Sequence, residues 1–487
     1  MKDLAHLLNS IKHTVVSGSG TCSIDSIQYD SRLCTETSVF VAIRGAAVDG
    51  HDYLQSAREN GCRIFIIERE VEIEDSDIFL IKVSNTSESL AKIAACFYDF
   101  PSEKIKLVGI TGTNGKTTCA TLMHDLFTGL GHRSGLLSTV VNKIGRDEVK
   151  ATHTTPDPVA LNALLKRMVD SGCTHAFMEI SSHAVVQNRV FGLTFSGGVF
   201  TNISHDHLDY HKTFSSYIAA KKRFFDLLPK DAFALVNVDD KNGTVMLQNT
   251  KAKKLHYALR SPADFKAKII ENQLSGLVLN LDETEFYSRL IGRFNAYNLL
   301  AVYGVASLLE EDKIETLGVL SNLQSVEGRF QYLKTPAGPT TIVDYAHTPD
   351  ALENVLETIS AIKQVNSRLI TVVGCGGDRD KAKRPIMASI ASSMSDELIL
   401  TSDNPRTENP DAILKDMQNG LDESQLNNAF VISGRKEAIK LAIKLASADD
   451  VVLIAGKGHE KYQEINGVRH DFDDYKIASD YTNQMKN

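Results

Sequence analysis

KLVGITGTNGKTT, residues 106–118, reads as a buried strand that turns through two glycines into a helix. Its first six residues form a short apolar, β-branched run, and a helical pattern follows from about Lys116 to Leu130. Between them lie Gly112, Thr113, Asn114, Gly115, Lys116, Thr117 and Thr118. The glycines let backbone N–H groups curl round a polyphosphate, and the helix N-terminus adds partial positive charge. Lys116 can neutralise β- and γ-phosphates, and the Thr117 hydroxyl can ligate Mg²⁺. The general phosphate-loop pattern wants a glycine where this chain has Ile110, so only the tighter TGTNGKTT form matches.

The same alternation extends in both directions. SVFVAIRG (38–45), CRIFIIE (62–68) and FLIKVS (79–84) read as strands, and a helical pattern over 87–100 follows, stopped by Pro101 before a charged linker. Beyond the glycine-rich turn come HAFMEI (175–180), GGVFTNI (197–203) and FALVNV (233–238). TTIVDYA (340–346), RLITVVG (368–374), ELILTSD (397–403) and DVVLIAG (450–456) complete the series, with helical patterns between them. The pattern predicts an α/β fold whose mostly parallel sheets are covered by helices. At about 100–200 residues per domain, 487 residues suggest three domains, placed at 1–101, 102–333 and 334–487.

Composition narrows the function classes. With 53 Lys and Arg against 61 Asp and Glu, the net charge is −8, which disfavours sequence-independent nucleic-acid binding. An apolar share of 43% supports buried cores and excludes global disorder. No apolar window is long enough for a membrane-spanning helix, and Asp3, His6 and Asn9 interrupt any secretory signal. Seven cysteines, spread out and without a CxxC pair, point to reduced thiols in a cytoplasmic protein, not to disulfides or a structural zinc.

Further motifs carry chemistry. In MEISSHAVVQNRV (178–190), Glu179 ends a strand, where its carboxylate either holds a second Mg²⁺ or caps the next segment. Ser181, Gln187 and Arg189 either face a polar substrate or decorate a loop. In FTNISHDHLDYH (200–211), Asp206, His207, Asp209 and His211 crowd together without zinc-finger spacing, ahead of the helix that contains Lys221. VEGRF (326–330) precedes DYAHTPDAL (344–352). GCGGDRDKAKRP (374–385), SDNPRTENP (402–410) and IAGKGHEKYQ (454–463) each follow a strand of one sheet. Arg379 and Arg406 therefore lie on one sheet edge, where a guanidinium fork can grip a carboxylate, with Gly456 and Glu460 beside them.

Taken in order from about Tyr29 to Gln463, TGTNGKTT, MEISSH, FTNISHDHLDYH, YIAAKK, the Gly-Arg of VEGRF, DYAHTPDAL and AGKGHE resemble the motif series of the Mur ligases. These are ATP-dependent amide ligases that add amino acids to the peptidoglycan precursor. GCGGDRDKAKRP and DNPR resemble the branch that joins meso-diaminopimelate to UDP-N-acetylmuramoyl-L-alanyl-D-glutamate. The resemblance implies a UDP-binding α/β domain, a central P-loop ATPase domain and a C-terminal Rossmann-like domain, with ATP between the last two.

It also implies residue roles. Gly112 to Thr118, Asn295, Arg329 and Asp344 would contact ATP. Ser31 of YDSR would hold the UDP part, with Tyr29 and the loop 45–47 beside it. Thr154 and Thr155 (after His153, where the family often has Asn), Ser181, Gln187 and Arg189 would hold the muramoyl dipeptide. Arg379, Asp403, Asn404, Pro405, Arg406, Gly456 and Glu460 would hold diaminopimelate. Lys221 matches a carbamylated lysine, its carbamate derived from CO₂, and with Thr117, Glu179 and His207 it would serve two Mg²⁺ ions. Lys116, Lys221, Glu179 and His207 are the expected catalytic set. The expected state is a cytoplasmic monomer acting on small molecules. Alternatives are the same chemistry with L-lysine or another diamine, a folylpolyglutamate-synthase-like ligase, a P-loop kinase, and a nucleotide-dependent regulatory module.

Overall fold

KLVGIT becomes the strand Lys106–Thr111, paired in parallel with His175–Glu179 on one side and Gly197–Phe200 on the other. The computed structural model containing it describes residues 1–18, 22–45, 48–71, 77–151, 153–334 and 338–484. Side chains alternate across this strand, so Val108 and Ile110 enter one core and Leu107 the other. Gly109 leaves room for Phe224, since a Cβ there would lie 2.5 Å from its ring. Such close packing explains why a strand buried on both faces reads as a continuous apolar run.

The strand sits inside an eleven-stranded sheet. Its parallel centre runs from Ser134–Leu137 through to Phe265–Gln273, and antiparallel hairpins extend both edges. Helices Lys116–Gly129 and Arg293–Leu308 cover one face, and Pro158–Asp170 and Phe214–Asp226 cover the other. A five-stranded sheet precedes it and a six-stranded sheet follows, each parallel apart from one antiparallel edge strand. Among the described residues no helix is long and apolar enough to cross a membrane.

Three details depart from the sequence reading. The helix expected over 87–100 is Thr86–Phe97, because Asp99 and Phe100 take left-handed backbone (φ 62° and 50°) before Pro101 opens a short 3-10 turn. The hairpin strands Phe265–Gln273, Gly276–Leu281 and Thr284–Ser288 were not anticipated. Strand Gln331–Leu333 pairs with Thr340–Asp344, so the third sheet begins before residue 334. All seven cysteines are free, six buried and Cys22 exposed.

Candidate active site

The glycine-rich loop leaves its strand under tight constraint. Gly115 caps the helix at φ +85°, and a Cβ there would lie 2.7 Å from Asn298 Oδ1. A Cβ at Gly112 would strike the Thr201 hydroxyl. The backbone here therefore stays bare, as close approach to phosphate requires. Lys116 Nζ folds back onto the carbonyls of Gly112 and Thr113 at 2.8 and 2.7 Å. Lys221, 1% exposed, donates to the same Gly112 carbonyl at 2.7 Å and lies over the Tyr217 ring. Burial first, then the Lys116 charge, hold its ammonium well below the ordinary lysine range, while the Asp206 carboxylate opposes them.

Glu179 ends its strand beside the loop. Thr117 Oγ1 donates to Glu179 Oε2 at 3.0 Å, and the Thr139 backbone N–H donates to Oε1 at 2.7 Å. Thr139 also reaches Thr154, at 3.1 Å, while Thr155 donates to the Glu179 carbonyl. Ser181 caps the helix Ser182–Val186 with its side chain. Arg189 spans from the Gln187 carboxamide to the Thr155 carbonyl (2.6 and 2.7 Å), and the Ser181 N–H donates to Thr155 Oγ1 at 3.2 Å, so these four expected substrate residues form one polar wall. Tyr29 faces that wall from the first sheet: burial, then the nearby Asp157 carboxylate, push its phenol up to about 12. Ser31 is buried in the next turn, and its carbonyl accepts from Asn60. His153 is exposed. Ala46, Ala47 and the Asp209 side chain lie outside the described residues.

The histidine-rich stretch separates into parts. His207, at φ 54°, keeps its ring 3.5 Å from Asp206, whereas His211 turns to Ser182 Oγ at 2.9 Å. Among the described residues no three His, Cys, Asp or Glu side chains form a preassembled metal cluster. Thr117 and Glu179 nevertheless present adjacent oxygens at a helix N-terminus, a donor set suited to a hard cation. Lys221 presents a buried amine with one carbonyl partner, which suits it to carry an added anionic group.

The third sheet closes the other wall of a cleft of about 640 Å³ that includes Lys116, Thr117, Glu179, His207, Arg329 and Asp344. Arg329 Nη2 donates to Thr117 Oγ1 at 3.2 Å, and its guanidinium lies over the Tyr345 ring. Asp344 accepts the N–H groups of Phe330 and Ala346, fixing the Gly-Arg turn beside it. Asn295 sits beneath the cleft: it bonds the Ile291 carbonyl and accepts from Asn298, and Asn298 is the one that lines the space. Sequence reasoning missed Asp350, which accepts from Asn114 at 3.3 Å and Ser204 at 2.7 Å across the cleft.

The remaining motif loops meet at the carboxyl ends of the third sheet, as Arg379 and Arg406 were expected to. Arg406 (φ 52°) donates to the Gly377 carbonyl at 2.7 Å, and Arg379 is exposed nearby. Asn404 donates to Glu460 at 2.8 Å and accepts from the fully buried Lys457. A Cβ on Gly456 would lie 2.6 Å from Asp403 Oδ2, which accounts for glycine there. Pro405 accepts the Glu408 N–H, closing the turn.

Known proteins resemble this chain along nearly its whole length. Family models described as the Mur ligase family catalytic domain, the Mur ligase middle domain and the Mur ligase glutamate ligase domain match residues 23–98, 110–306 and 328–458. A Cytophaga hutchinsonii protein named UDP-N-acetylmuramoyl-L-alanyl-D-glutamate–2,6-diaminopimelate ligase is 53% identical, covering 99% of this chain and 98% of the relative. A Phocaeicola vulgatus protein of the same name is 51% identical over 98% and 99%. A solved structure of that ligase superposes with TM-score 0.69 at 33% identity, covering 95% and 96%. The folylpolyglutamate synthase of Mycobacterium tuberculosis, complexed with ADP and AMPPCP, shares the fold at TM-score 0.61 and 17% identity over 76% and 93%.

Proposed function

Because this chain belongs to the Mur ligase family, we propose that it joins meso-diaminopimelate to the D-Glu γ-carboxylate of UDP-N-acetylmuramoyl-L-alanyl-D-glutamate, converting ATP to ADP and phosphate. The observation that carries the amino-acid assignment is the meeting of GCGGD, DNPR and GKGHE at one sheet edge beside the phosphate-loop cleft. A carboxylate is a poor electrophile, so the γ-carboxylate first takes the γ-phosphoryl group as an acyl phosphate. The amine of diaminopimelate then attacks the acyl carbon, forming the amide as phosphate leaves.

Phosphoryl transfer needs charge neutralisation more than covalent help. Lys116 and Arg329 face the cleft to supply it, and Gly112 to Thr118 cradle the phosphates, with Asn295 supporting Asn298 from below. Thr117, Glu179, His207 and a carbamate on Lys221 would hold Mg²⁺, which when bound neutralises transferring phosphate. Lys221 suits that role because burial and the neighbouring Lys116 charge favour its neutral amine, the form that can take up CO₂. Thr154, Thr155, Ser181, Gln187 and Arg189 orient the dipeptide, and Ser31 and Tyr29 take the UDP end. Arg406 and Arg379 grip the distal carboxylate of diaminopimelate, while Asp403 and Glu460 face its ammonium.

The reading keeps domains at 1–101, 102–333 and 334–487, with the strand Gln331–Leu333 joining the third sheet, and a cytoplasmic monomer is part of it. The test is incubation of the chain with ATP, the UDP-muramoyl dipeptide and, separately, diaminopimelate, L-lysine or a folate with glutamate. A nucleotide product heavier by one diaminopimelate residue is expected. Growth by lysine alone, or glutamate addition to folate, would overturn the assignment.

A further inference from the structure

Arg384 stands in the first turn of the helix Lys383–Met394 and is fully buried, though nothing in the proposed reaction touches it. Its guanidinium grips Glu408 with both arms, Nη1 to Oε2 at 3.0 Å and Nη2 to Oε1 at 2.8 Å. Nη1 also donates to Asp416 at 2.8 Å, and Nη2 to the Gly376 carbonyl at 3.2 Å. A buried cation is costly unless paired, and here two carboxylates and a carbonyl take its two terminal nitrogens, while Nε finds no partner among the described residues.

The consequence lies in what those partners hold. Glu408 Oε1 also accepts the Asp378 N–H at 2.6 Å, and the Asp378 carboxylate takes the Thr407 hydroxyl at 2.8 Å. Gly377 N–H donates to the Asn404 carbonyl, and Arg406 donates to the Gly377 carbonyl. Residues 376–378 and 404–408 are thus stitched to each other, and one guanidinium fastens both from beneath.

We propose that Arg384 is the positioning residue of the diaminopimelate site, fixing the loop that presents Arg406 against the loop that presents Arg379, and thereby setting preference for an amino acid with a distal carboxylate. This rests on the reaction proposed above. A lysine in its place keeps the charge but loses the fork.

Arg384→Lys and Glu408→Gln, in the full chain, should be assayed with diaminopimelate and lysine beside the wild type. In Arg384→Lys the KM for diaminopimelate should rise by about 10-fold, while those for ATP and the UDP-muramoyl dipeptide stay within about twofold. The ratio of kcat/KM for diaminopimelate over lysine should fall in parallel, since lysine never used the clamp. Glu408→Gln should move both readouts in the same direction, and it decides the matter if the lysine variant does not fold. A folded variant with wild-type KM and ratio, or a loss shared equally by all three substrates, would overturn the proposal alone. A wild-type chain that makes no diaminopimelate product would overturn the reaction and this positioning role together.

Discussion

Lys116 rests on two backbone carbonyls of its own loop, contacts that the proposed polyphosphate would replace with charged oxygens. Lys116→Ala should therefore fold normally and lose about 10²–10³-fold in kcat, the usual cost of removing one donor to developing charge. Product mass at saturating substrates, read with the melting temperature, checks it. Near-wild-type turnover would contradict the assignment. Arg406→Ala should act elsewhere, raising the KM for diaminopimelate by about 10- to 100-fold, the worth of a charged hydrogen-bond pair. The constants for ATP and the dipeptide should hold. If all three rise together, Arg406 only supports its loop. The loops that carry these residues were legible because their motifs are written in contiguous letters after a strand. Arg384 was not, since a charged residue in KAKRP reads as solvated surface until the fold buries it.

At the scale of elements, the strands with unbroken apolar runs were legible within one or two residues, as with Lys106–Thr111 and Val451–Ala455. Burial on both faces leaves no alternation to misread. The edge strands Phe265–Gln273 to Thr284–Ser288 were not legible, because the first of them is mostly exposed and mixes Lys, Glu and Asn among its apolar residues. The helix Lys383–Met394 gives a test of its own. Hydrogen bonds from Arg384, its largest cause, pull the Glu408 carboxyl down to about 2 from an ordinary 4.5. A folded value below the unfolded one means stabilisation that is complete above about pH 4.5 and lost as pH falls toward about 2. The melting-temperature gap between wild type and Glu408→Gln should be widest above that range and close through it. A gap independent of pH would show that charge is not what this ion pair contributes.

For the whole molecule, motif order revealed three successive α/β units but not how the second meets the third, since residues 114, 204 and 350 are remote in sequence. Their meeting gives the last prediction. The Asp350 carboxylate takes hydrogen bonds from Asn114 in the phosphate loop and Ser204 after the next strand, so it ties the two walls of the cleft together. ATP proposed to lie between those walls gains from having them already close, because part of the ordering cost is met before it binds. Asp350→Ala removes the tie without touching the diaminopimelate loops. It should raise the KM for ATP by about 10-fold, in line with losing one or two hydrogen bonds to a charged group. The KM for the UDP-muramoyl dipeptide should be nearly unchanged, because its expected contacts lie on the first two units. Small-angle scattering of the nucleotide-free variant should give a larger radius of gyration than the wild type. The opposite outcome is also physically coherent: were Asp350 merely competing with phosphate for Asn114, its removal would lower the KM for ATP. The sign of that one change therefore separates a latch that prepares the cleft from a carboxylate that obstructs it.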